Sequence, residues 1–231
     1  MLSLDDSMFD TLRLQMIQEI TADASYVKKH IGKDALANRV MDVMAKVPRH
    51  EFVPVELRLY AYANIPLPIG YEKTISQPFI VALMTDLLEI EKTDTVLEIG
   101  TGLGYQAAIL AELAEKVYSI ELIEELATQA QKRLARLGYD NVETKIADGS
   151  HGWVEHAPFD KLIITAAPDL IPPALIHQLK AGGKMVIPAG ITNSQQLLVV
   201  DKDGNGRLAT KEILPVRFSE LEIEAAVASA H

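Results

Sequence analysis

The stretch Thr95–Gln106, TVLEIGTGLGYQ, decides how the rest of the chain is interpreted. A mainly apolar run over residues 96–99 stops at Gly100. Two more glycines, Gly102 and Gly104, then precede an apolar pattern with helical spacing. We therefore predict a strand, a glycine loop and a helix. Such a loop turns sharply and lets a ligand approach backbone N–H groups, as in nucleotide-type α/β sites.

The charge around this loop favours a cationic ligand without phosphate. The glycine spacing alone also fits a loose dinucleotide fingerprint and is a weak signal. A diphosphate favours cationic or neutral surroundings, yet Glu98 lies just before Gly100 and no Lys or Arg occurs from residue 93 to residue 115. S-adenosylmethionine carries a sulfonium and an ammonium, and Glu98 is placed to balance that charge. We therefore predict S-adenosylmethionine as the cofactor.

Two further acidic residues follow neighbouring predicted strands. Glu121 ends a strand about 20 residues after the glycine turn, where a carboxylate accepts hydrogen bonds from ribose hydroxyls. Asp148 and Gly149 follow the predicted strand 142–146, and Asp148 is placed to accept a hydrogen bond from the exocyclic amine of adenine. A plain Asx turn at Asp148 is an equal alternative. The alternative for Glu98 and Glu121 is that they are merely solvated ends of strands in a generic α/β protein. The combined spacing and charge disfavour this alternative.

Composition narrows the function classes. The 231 residues are 48% hydrophobic and 23% charged, which is enough for a sizeable core. The chain has no cysteine, so disulfides, thiolate metal sites and a cysteine nucleophile are excluded. A net charge of -10 opposes binding to nucleic-acid phosphates. The chain has no basic and apolar leader and no apolar run of membrane-spanning length, so we expect a cytoplasmic protein without a membrane partner. The histidine spacings indicate no metal site.

The N-terminal third is predicted to be a helical cap followed by an irregular segment. Helices are predicted over 9–20 and 34–45, separated by a basic connector at 26–33, and residues 21–35 look like an insertion. Residues 47–78 are rich in proline, glycine and aromatics, which is typical of a lid or a binding surface. We expect residues 1–78 to form the cap and substrate segment and residues 79–231 the cofactor domain, packed as one unit.

The remaining elements predict the fold class. Strands over 159–165 and 184–188 complete five parallel strands, and strands over 196–200 and 208–214 flank a turn. That turn, 201–206, also resembles the start of an EF-hand calcium loop, but flanking strands favour a hairpin. The tail after residue 223 is alanine-rich and is expected to fray. The prediction is a doubly wound, mostly parallel, Rossmann-like α/β sheet with an N-terminal helical cap and a C-terminal antiparallel hairpin.

Several motifs resemble one family, the protein-L-isoaspartate (D-aspartate) O-methyltransferases, which are class I methyltransferases. The resemblance runs from about Val40 to Phe218. Its most specific pieces are VPRHEFVP at 47–54, PLPIG at 66–70, TISQP at 74–78, VLEIGTG at 96–102, APFD at 157–160, LKAGG at 179–183 and VIP at 186–188. The motif around Ser76 separates this family from other enzymes with the same cofactor fold.

The resemblance implies an activity and a set of site residues. The implied reaction is methyl transfer from S-adenosylmethionine to the free α-carboxylate of an isoaspartyl residue in a damaged protein, with S-adenosylhomocysteine as the other product. Ser76 is implied as the active-site hydroxyl, although a local turn before Pro78 is another role for it. The cofactor residues implied are Lys73, Thr74, Ile75, Ser76, Glu98, Gly100, Thr101, Gly102, Glu121, Leu122, Asp148 and Gly149.

The chain departs from the family pattern where the substrate is expected to bind. Glu72 and Lys73 stand where the family commonly has Gly-Gln, and Ser219 and Glu220 interrupt a C-terminal stretch that is commonly Phe-Val-Pro-Leu. A methyltransferase for another peptide or small-molecule carboxylate is therefore an alternative. A cofactor-binding module without catalysis and a dehydrogenase are two more distant ones.

Overall fold

The computed structural model describes residues 4–223, with side chains from residue 7 onward. Its centre is a seven-stranded sheet, and a separate two-stranded hairpin precedes it. The hairpin strands are β1 (Leu67–Gly70) and β2 (Lys73–Ile75). The sheet strands are β3 (Thr95–Ile99), β4 (Lys116–Glu121), β5 (Val142–Ile146), β6 (Phe159–Ile164), β7 (Leu179–Ala189), β8 (Gln195–Lys202) and β9 (Leu208–Val216).

The strand order is β5-β4-β3-β6-β7-β8-β9. Strands β3 to β7 pair in parallel, while β8 and β9 pair antiparallel. The chain moves outward from β3 to β4 and β5 and then returns to the other side of β3 with β6. The predicted doubly wound, mostly parallel sheet with a C-terminal antiparallel hairpin is confirmed.

Helices cover both faces of the sheet. They are α1 (Leu4–Ile31), α2 (Asn38–Lys46), α3 (Pro78–Leu88), α4 (Tyr105–Ala111), α5 (Glu124–Arg136) and α6 (Pro173–Gln178). Alternate residues of β3 point to opposite faces, so Val96 joins the core under α1 to α5, while Leu97 and Ile99 join the core that includes Leu175 of α6. Burial on both faces explains the near-continuous apolar runs of the parallel strands.

The N-terminal cap differs from the prediction in its helix boundaries, and α2 begins at Asn38 instead of residue 34. The basic connector predicted at 26–33 is part of α1 as far as Ile31, and the chain turns only at Gly32, where φ is +75°. The buried side chains Met16, Ile20 and Ala24 recur every fourth residue, and the partly buried Val27 and the buried Ile31 continue this apolar stripe through the region where a connector was predicted. The basic residues Lys28 and Lys29 lie in the last turn, where cations interact favourably with the helix dipole.

Residues 47–78 contain short elements instead of one structureless stretch. Two 3₁₀ helices, Arg49–Phe52 and Val55–Tyr60, are followed by the β1–β2 hairpin. The predicted turn at 201–206 connects β8 and β9, and Asp203 accepts hydrogen bonds from the backbone N–H groups of Asn205 and Arg207. The tail from residue 224 onward lies outside the described residues.

Residues 4–223 include no helix long and apolar enough to cross a membrane. In the same part of the chain, no cluster of three or more His, Asp or Glu side chains is arranged to hold a metal ion.

Candidate active site

A cavity of about 360 Å³ lies at the carboxyl ends of β3, β4 and β6. The direction of winding reverses between β3 and β6, and ligands of open α/β sheets bind at such a switch point. The hairpin residues, the glycine loop and the chain after β9 complete its walls. A smaller cavity adjoins it and shares part of the glycine loop.

The glycine loop is shaped by close backbone packing. Gly100 has a φ of +95°, and a Cβ atom placed there would lie 2.4 Å from the hydroxyl oxygen of Thr165. That hydroxyl is held at hydrogen-bond distance from the carbonyl oxygens of both Ile99 (3.0 Å) and Gly100 (2.8 Å). Glycine is therefore required at position 100 by both backbone conformation and space.

Glu121 joins the glycine loop to the start of α5. One carboxylate oxygen accepts a hydrogen bond from the backbone N–H of Gly102 (2.8 Å), and the other accepts one from Ile123 (3.0 Å). The residue is 9% exposed and lines the cavity. Because each carboxylate oxygen has two acceptor positions, both oxygens can still accept one hydrogen bond from a ligand. A diol such as ribose matches this pair of acceptors.

Glu98 was predicted to balance the positive charge of the cofactor near the loop. It is fully buried behind the loop and lines neither cavity. The hydroxyl of Ser119 donates to its Oε2, and a further hydrogen bond connects Ser119 with Thr101 (2.6 Å). Burial raises the pKa of Glu98 to about 8, with the nearby Glu121 carboxylate adding to the shift and the Ser119 hydrogen bond opposing it. At neutral pH the carboxyl is largely protonated and contributes little negative charge.

Asp148 and Gly149 follow β5 at the same edge of the sheet. Asp148 Oδ1 accepts a hydrogen bond from the backbone N–H of Ser150 (2.8 Å), so the Asx turn that was the alternative for this residue is present. Its side chain is buried and does not line the cavity, whereas Gly149 does. Contact of Asp148 with adenine stays a prediction.

The segment after β2 brings Ser76 into the cavity wall. The guanidinium of Arg49, itself fully buried, donates to the carbonyl oxygens of Ser76 and Ala61, each at 2.7 Å. The Arg49 guanidinium also lies over the ring of Tyr105, 4.7 Å from its centroid. Arg49 therefore holds Ser76 through its backbone carbonyl. Ser76 itself is half-buried and lines the cavity.

The chain after β9 forms a C-terminal strap, residues 217–222, across the cavity. The side-chain amide of Gln195 accepts from the backbone N–H of Phe218 (2.7 Å) and donates to its carbonyl (3.2 Å). Ala167 donates to Ser219 (2.8 Å) and accepts from Leu221 (2.9 Å). These contacts fix the strap next to the strand end of β6.

The structure brings most of the predicted site residues together. Those that line the main cavity are Lys73, Thr74, Ser76, Gly100, Gly102, Glu121, Leu122 and Gly149. Ile75 and Thr101 line the smaller cavity, and Glu98 and Asp148 line neither. Sequence reasoning missed Thr165 and Arg49. Thr165 follows β6 at the same sheet edge as Gly100, so its position at the carboxyl end of a parallel strand could have predicted it. Nothing in the neighbouring sequence marks Arg49 as a contact of Ser76.

The sheet order, the glycine loop and the acidic end of β4 define the Rossmann-like methyltransferase fold. The sequence profile of the protein-L-isoaspartate(D-aspartate) O-methyltransferase family matches residues 25–224. The protein-L-isoaspartate O-methyltransferase 1 of Polaromonas sp. (strain JS666) is 67% identical over 214 residues, which cover 93% of this chain and 91% of the relative. The protein-L-isoaspartate O-methyltransferase 2 of Syntrophobacter fumaroxidans is 58% identical over 217 residues, or 94% and 88% of the two chains.

Solved structures agree with this match. A protein-L-isoaspartate O-methyltransferase has a TM-score of 0.76 at 26% identity, covering 90% of this chain and 65% of that chain. A second structure, from Plasmodium falciparum in complex with S-adenosyl-L-homocysteine, has a TM-score of 0.71 at 21% identity and shows the same fold over 80% of this chain and 91% of that chain. The chain belongs to the protein-L-isoaspartate (D-aspartate) O-methyltransferase family.

Proposed function

We propose that the protein transfers a methyl group from S-adenosylmethionine to the free α-carboxylate of L-isoaspartyl and D-aspartyl residues in damaged proteins. The observation that carries the proposal is that Ser76, which the family resemblance implies as the active-site hydroxyl, lines the same cavity as the glycine loop and Glu121. The family match supports the substrate. The alternative, methylation of another peptide or small-molecule carboxylate, is not favoured by these relatives.

The residues at the strand ends fit the cofactor. The cavity volume lies within the range of small-molecule sites. Glu121 has one free acceptor position on each oxygen for the two ribose hydroxyls. Gly100, Gly102 and Gly149 line the cavity, and the absence of a Cβ at these positions leaves room for the side chains of Thr165, Ile69 and Ile99 that pack against them. When bound, S-adenosylmethionine supplies a methyl group on a positively charged sulfur.

The chain's own residues position the reactants. A substrate carboxylate has a pKa of about 4 and is already ionised at neutral pH, so no base has to remove a proton. The task is to hold the attacking oxygen in line with the methyl group and to exclude water. Ser76 is placed to donate a hydrogen bond that orients the carboxylate, and Arg49 fixes the backbone of Ser76. The C-terminal strap covers part of the cavity and limits access of water.

The later steps of repair need no residue of this protein. Methoxide leaves a carbonyl far more readily than the oxide that a carboxylate would have to lose. The backbone nitrogen of the following substrate residue therefore attacks the ester carbonyl carbon, the C–OCH3 bond breaks, and the N–H proton leaves with the methoxide as methanol, which forms a succinimide. Hydrolysis of the succinimide returns part of the material to normal aspartate. The cytoplasmic location, the absence of nucleic-acid partners and the division into residues 1–78 and 79–231 stay predictions.

The Ser76→Ala variant tests the role of the hydroxyl. Loss of one hydrogen bond to a charged group is expected to lower methyl transfer to an isoaspartyl peptide by about tenfold to a hundredfold. The affinity for S-adenosylhomocysteine, measured by titration calorimetry, is expected to stay unchanged. Ser194→Ala, at an exposed position, is the matched control. Full turnover of Ser76→Ala contradicts a role of the hydroxyl in orienting the substrate, and a parallel loss of cofactor affinity would assign Ser76 to cofactor binding instead.

A further inference from the structure

Among the described residues that line the cavity, two carry positive charge, Lys73 and Arg217. Lys73 lies in β2, three residues before Ser76 in the same wall. Its ammonium forms an ion pair of 2.5 Å with the carboxylate of Glu222, which belongs to the C-terminal strap. The ion pair therefore connects two cavity walls that are 149 residues apart in the sequence.

This ion pair lies toward the solvent side of the cavity. The Lys73 side chain is 22% exposed and that of Glu222 is 56% exposed. Glu121, which fits the ribose, is 9% exposed and lies deeper. The substrate is part of a protein chain and has to enter from solvent, so its carboxylate reaches Lys73 from the exposed side.

The charges of the cavity also favour contact between Lys73 and the carboxylate of the substrate. The proposed substrate carries a free carboxylate, and a lysine ammonium is a strong donor to such a group. Two carboxylates of the C-terminal strap, Glu220 and Glu222, also line the cavity and repel an incoming anion. Glu220 accepts a hydrogen bond from the hydroxyl of Thr192, and Glu222 is bound to Lys73.

We propose that Lys73 binds the α-carboxylate of the substrate and that the Glu222 carboxylate occupies this position until the substrate displaces it. The inference rests on the proposed function and adds the residue that selects a carboxylate-bearing substrate. Glu222 is the competitor within the chain, and Ser76, in the same wall, orients the bound carboxylate.

The strap can release Glu222 without being displaced itself. The backbone contacts of Gln195 and Ala167 hold residues 218–221, and Glu222 lies just beyond them. Rotation of one exposed side chain is enough to free the ammonium of Lys73. Exposed ion pairs contribute little to stability, so the exchange costs little.

The proposal predicts effects of opposite sign for the two partners. Lys73→Met is expected to raise the KM for an isoaspartyl peptide by about tenfold or more, because a charge-assisted hydrogen bond is lost. Glu222→Gln is expected to lower the KM by about twofold to threefold, which is the scale of an exposed ion pair. In the background of Lys73→Met, Glu222→Gln is expected to lower the KM less than it does in the wild type, because the competition for Lys73 is gone and only the screened repulsion of the anion remains. Lys211→Met and Glu212→Gln, at exposed positions of β9, are the matched controls.

The experiment measures steady-state methyl transfer from S-adenosylmethionine to an isoaspartyl peptide, together with titration of S-adenosylhomocysteine for every variant. Opposite shifts in KM with unchanged affinity for S-adenosylhomocysteine support the proposal. A rise in KM for both variants identifies the ion pair as a structural clamp and overturns it, as does an unchanged KM in both. Weakened binding of S-adenosylhomocysteine by Lys73→Met also overturns it, because Lys73 then holds the cofactor. A wild-type protein that binds S-adenosylhomocysteine but does not methylate the peptide contradicts the proposed function itself, and this failure is visible before any variant is made.

Discussion

The buried guanidinium of Arg49 donates a hydrogen bond of 2.7 Å to the carbonyl oxygen of Ser76. Arg49 belongs to the 3₁₀ helix before the hairpin, and Ser76 follows the hairpin. One side chain therefore connects the two ends of the segment 47–78. Its Nη1 has no hydrogen-bond partner among the described residues. Burial lowers the pKa of Arg49 to about 10, although interactions with Tyr105 oppose the shift. A buried cation with these contacts is expected to position Ser76.

Arg49→Lys tests this positioning role. In Arg49, Nε donates to Ala61 and Nη2 to Ser76, whereas lysine has one nitrogen in place of this planar fork, so we expect one buried carbonyl to lose its partner. We expect the free energy of unfolding, measured with urea, to fall by about 2–3 kcal/mol and methyl transfer to fall with it. Affinity for S-adenosylhomocysteine is expected to change little. Arg39→Lys, at an exposed position of α2, is the control, and equal stability of the two variants would remove the role assigned to Arg49.

The buried Glu98 is expected to make stability depend on pH. Its pKa is about 8 in the folded protein and 4.5 in the unfolded reference, so the folded state keeps the proton over a range where the unfolded state loses it. The contribution of Glu98 to the free energy of unfolding is therefore fully present below about pH 4.5, falls as pH rises toward 8, and changes no further above that. The slope is at most about 1.4 kcal/mol per pH unit.

Glu98→Gln removes this titration and keeps a neutral side chain of the same shape. Urea unfolding of both proteins at pH 5.5 and pH 7.5 is the measurement. The wild type is expected to lose about 2–3 kcal/mol more than Glu98→Gln between these two values. The same pH dependence in both proteins contradicts a protonated Glu98.

Glu121→Gln is expected to weaken cofactor binding. An amide has one acceptor oxygen where the carboxylate has two, so either the contact to Gly102 or the one to Ile123 is lost together with a ligand position. We expect the Kd for S-adenosylhomocysteine to rise by about tenfold or more, as measured by calorimetry. Glu125→Gln, exposed in the first turn of α5, is the matched control. An unchanged Kd for Glu121→Gln would exclude contact with the ribose.

The hairpin turn stores backbone strain. Tyr71 and Glu72 have φ values of 52° and 57°, a left-handed conformation that costs residues with a Cβ atom about 1 kcal/mol. Glu72→Gly is therefore expected to raise the midpoint of urea unfolding by an amount equivalent to about 1 kcal/mol. Gln131→Gly, in the helical interior of α5, is the control and is expected to lower the midpoint of urea unfolding. Destabilisation by Glu72→Gly would show that contacts of the Glu72 side chain stabilise the protein by more than the left-handed conformation costs.

The parts of the fold that were predictable depend on local patterns. The apolar run before Gly100 and the acidic ends of the neighbouring strands are each encoded within a few residues, and the parallel sheet places them at one edge. The continuity of α1 was missed because basic residues conceal an apolar stripe of one residue per turn.

The parts that were not predictable depend on contacts between distant segments. The hydrogen bond from Arg49 to Ser76 and the ion pair between Lys73 and Glu222 follow from packing of the whole chain, and neither leaves a local pattern. The burial of Glu98 has the same origin. The sequence places Glu98 beside the glycine loop, where it was predicted to balance the charge of the cofactor, but no local pattern shows that its side chain is fully buried.

The central claim is that the cavity methylates isoaspartyl carboxylates. It is tested most directly by methyl transfer from labelled S-adenosylmethionine to two peptides that differ only in whether one residue is isoaspartyl or aspartyl, with base-labile methanol as the readout. Strong preference for the isoaspartyl peptide is the predicted result. Equal transfer to both peptides, or transfer to neither by protein that binds S-adenosylhomocysteine, would contradict the claim.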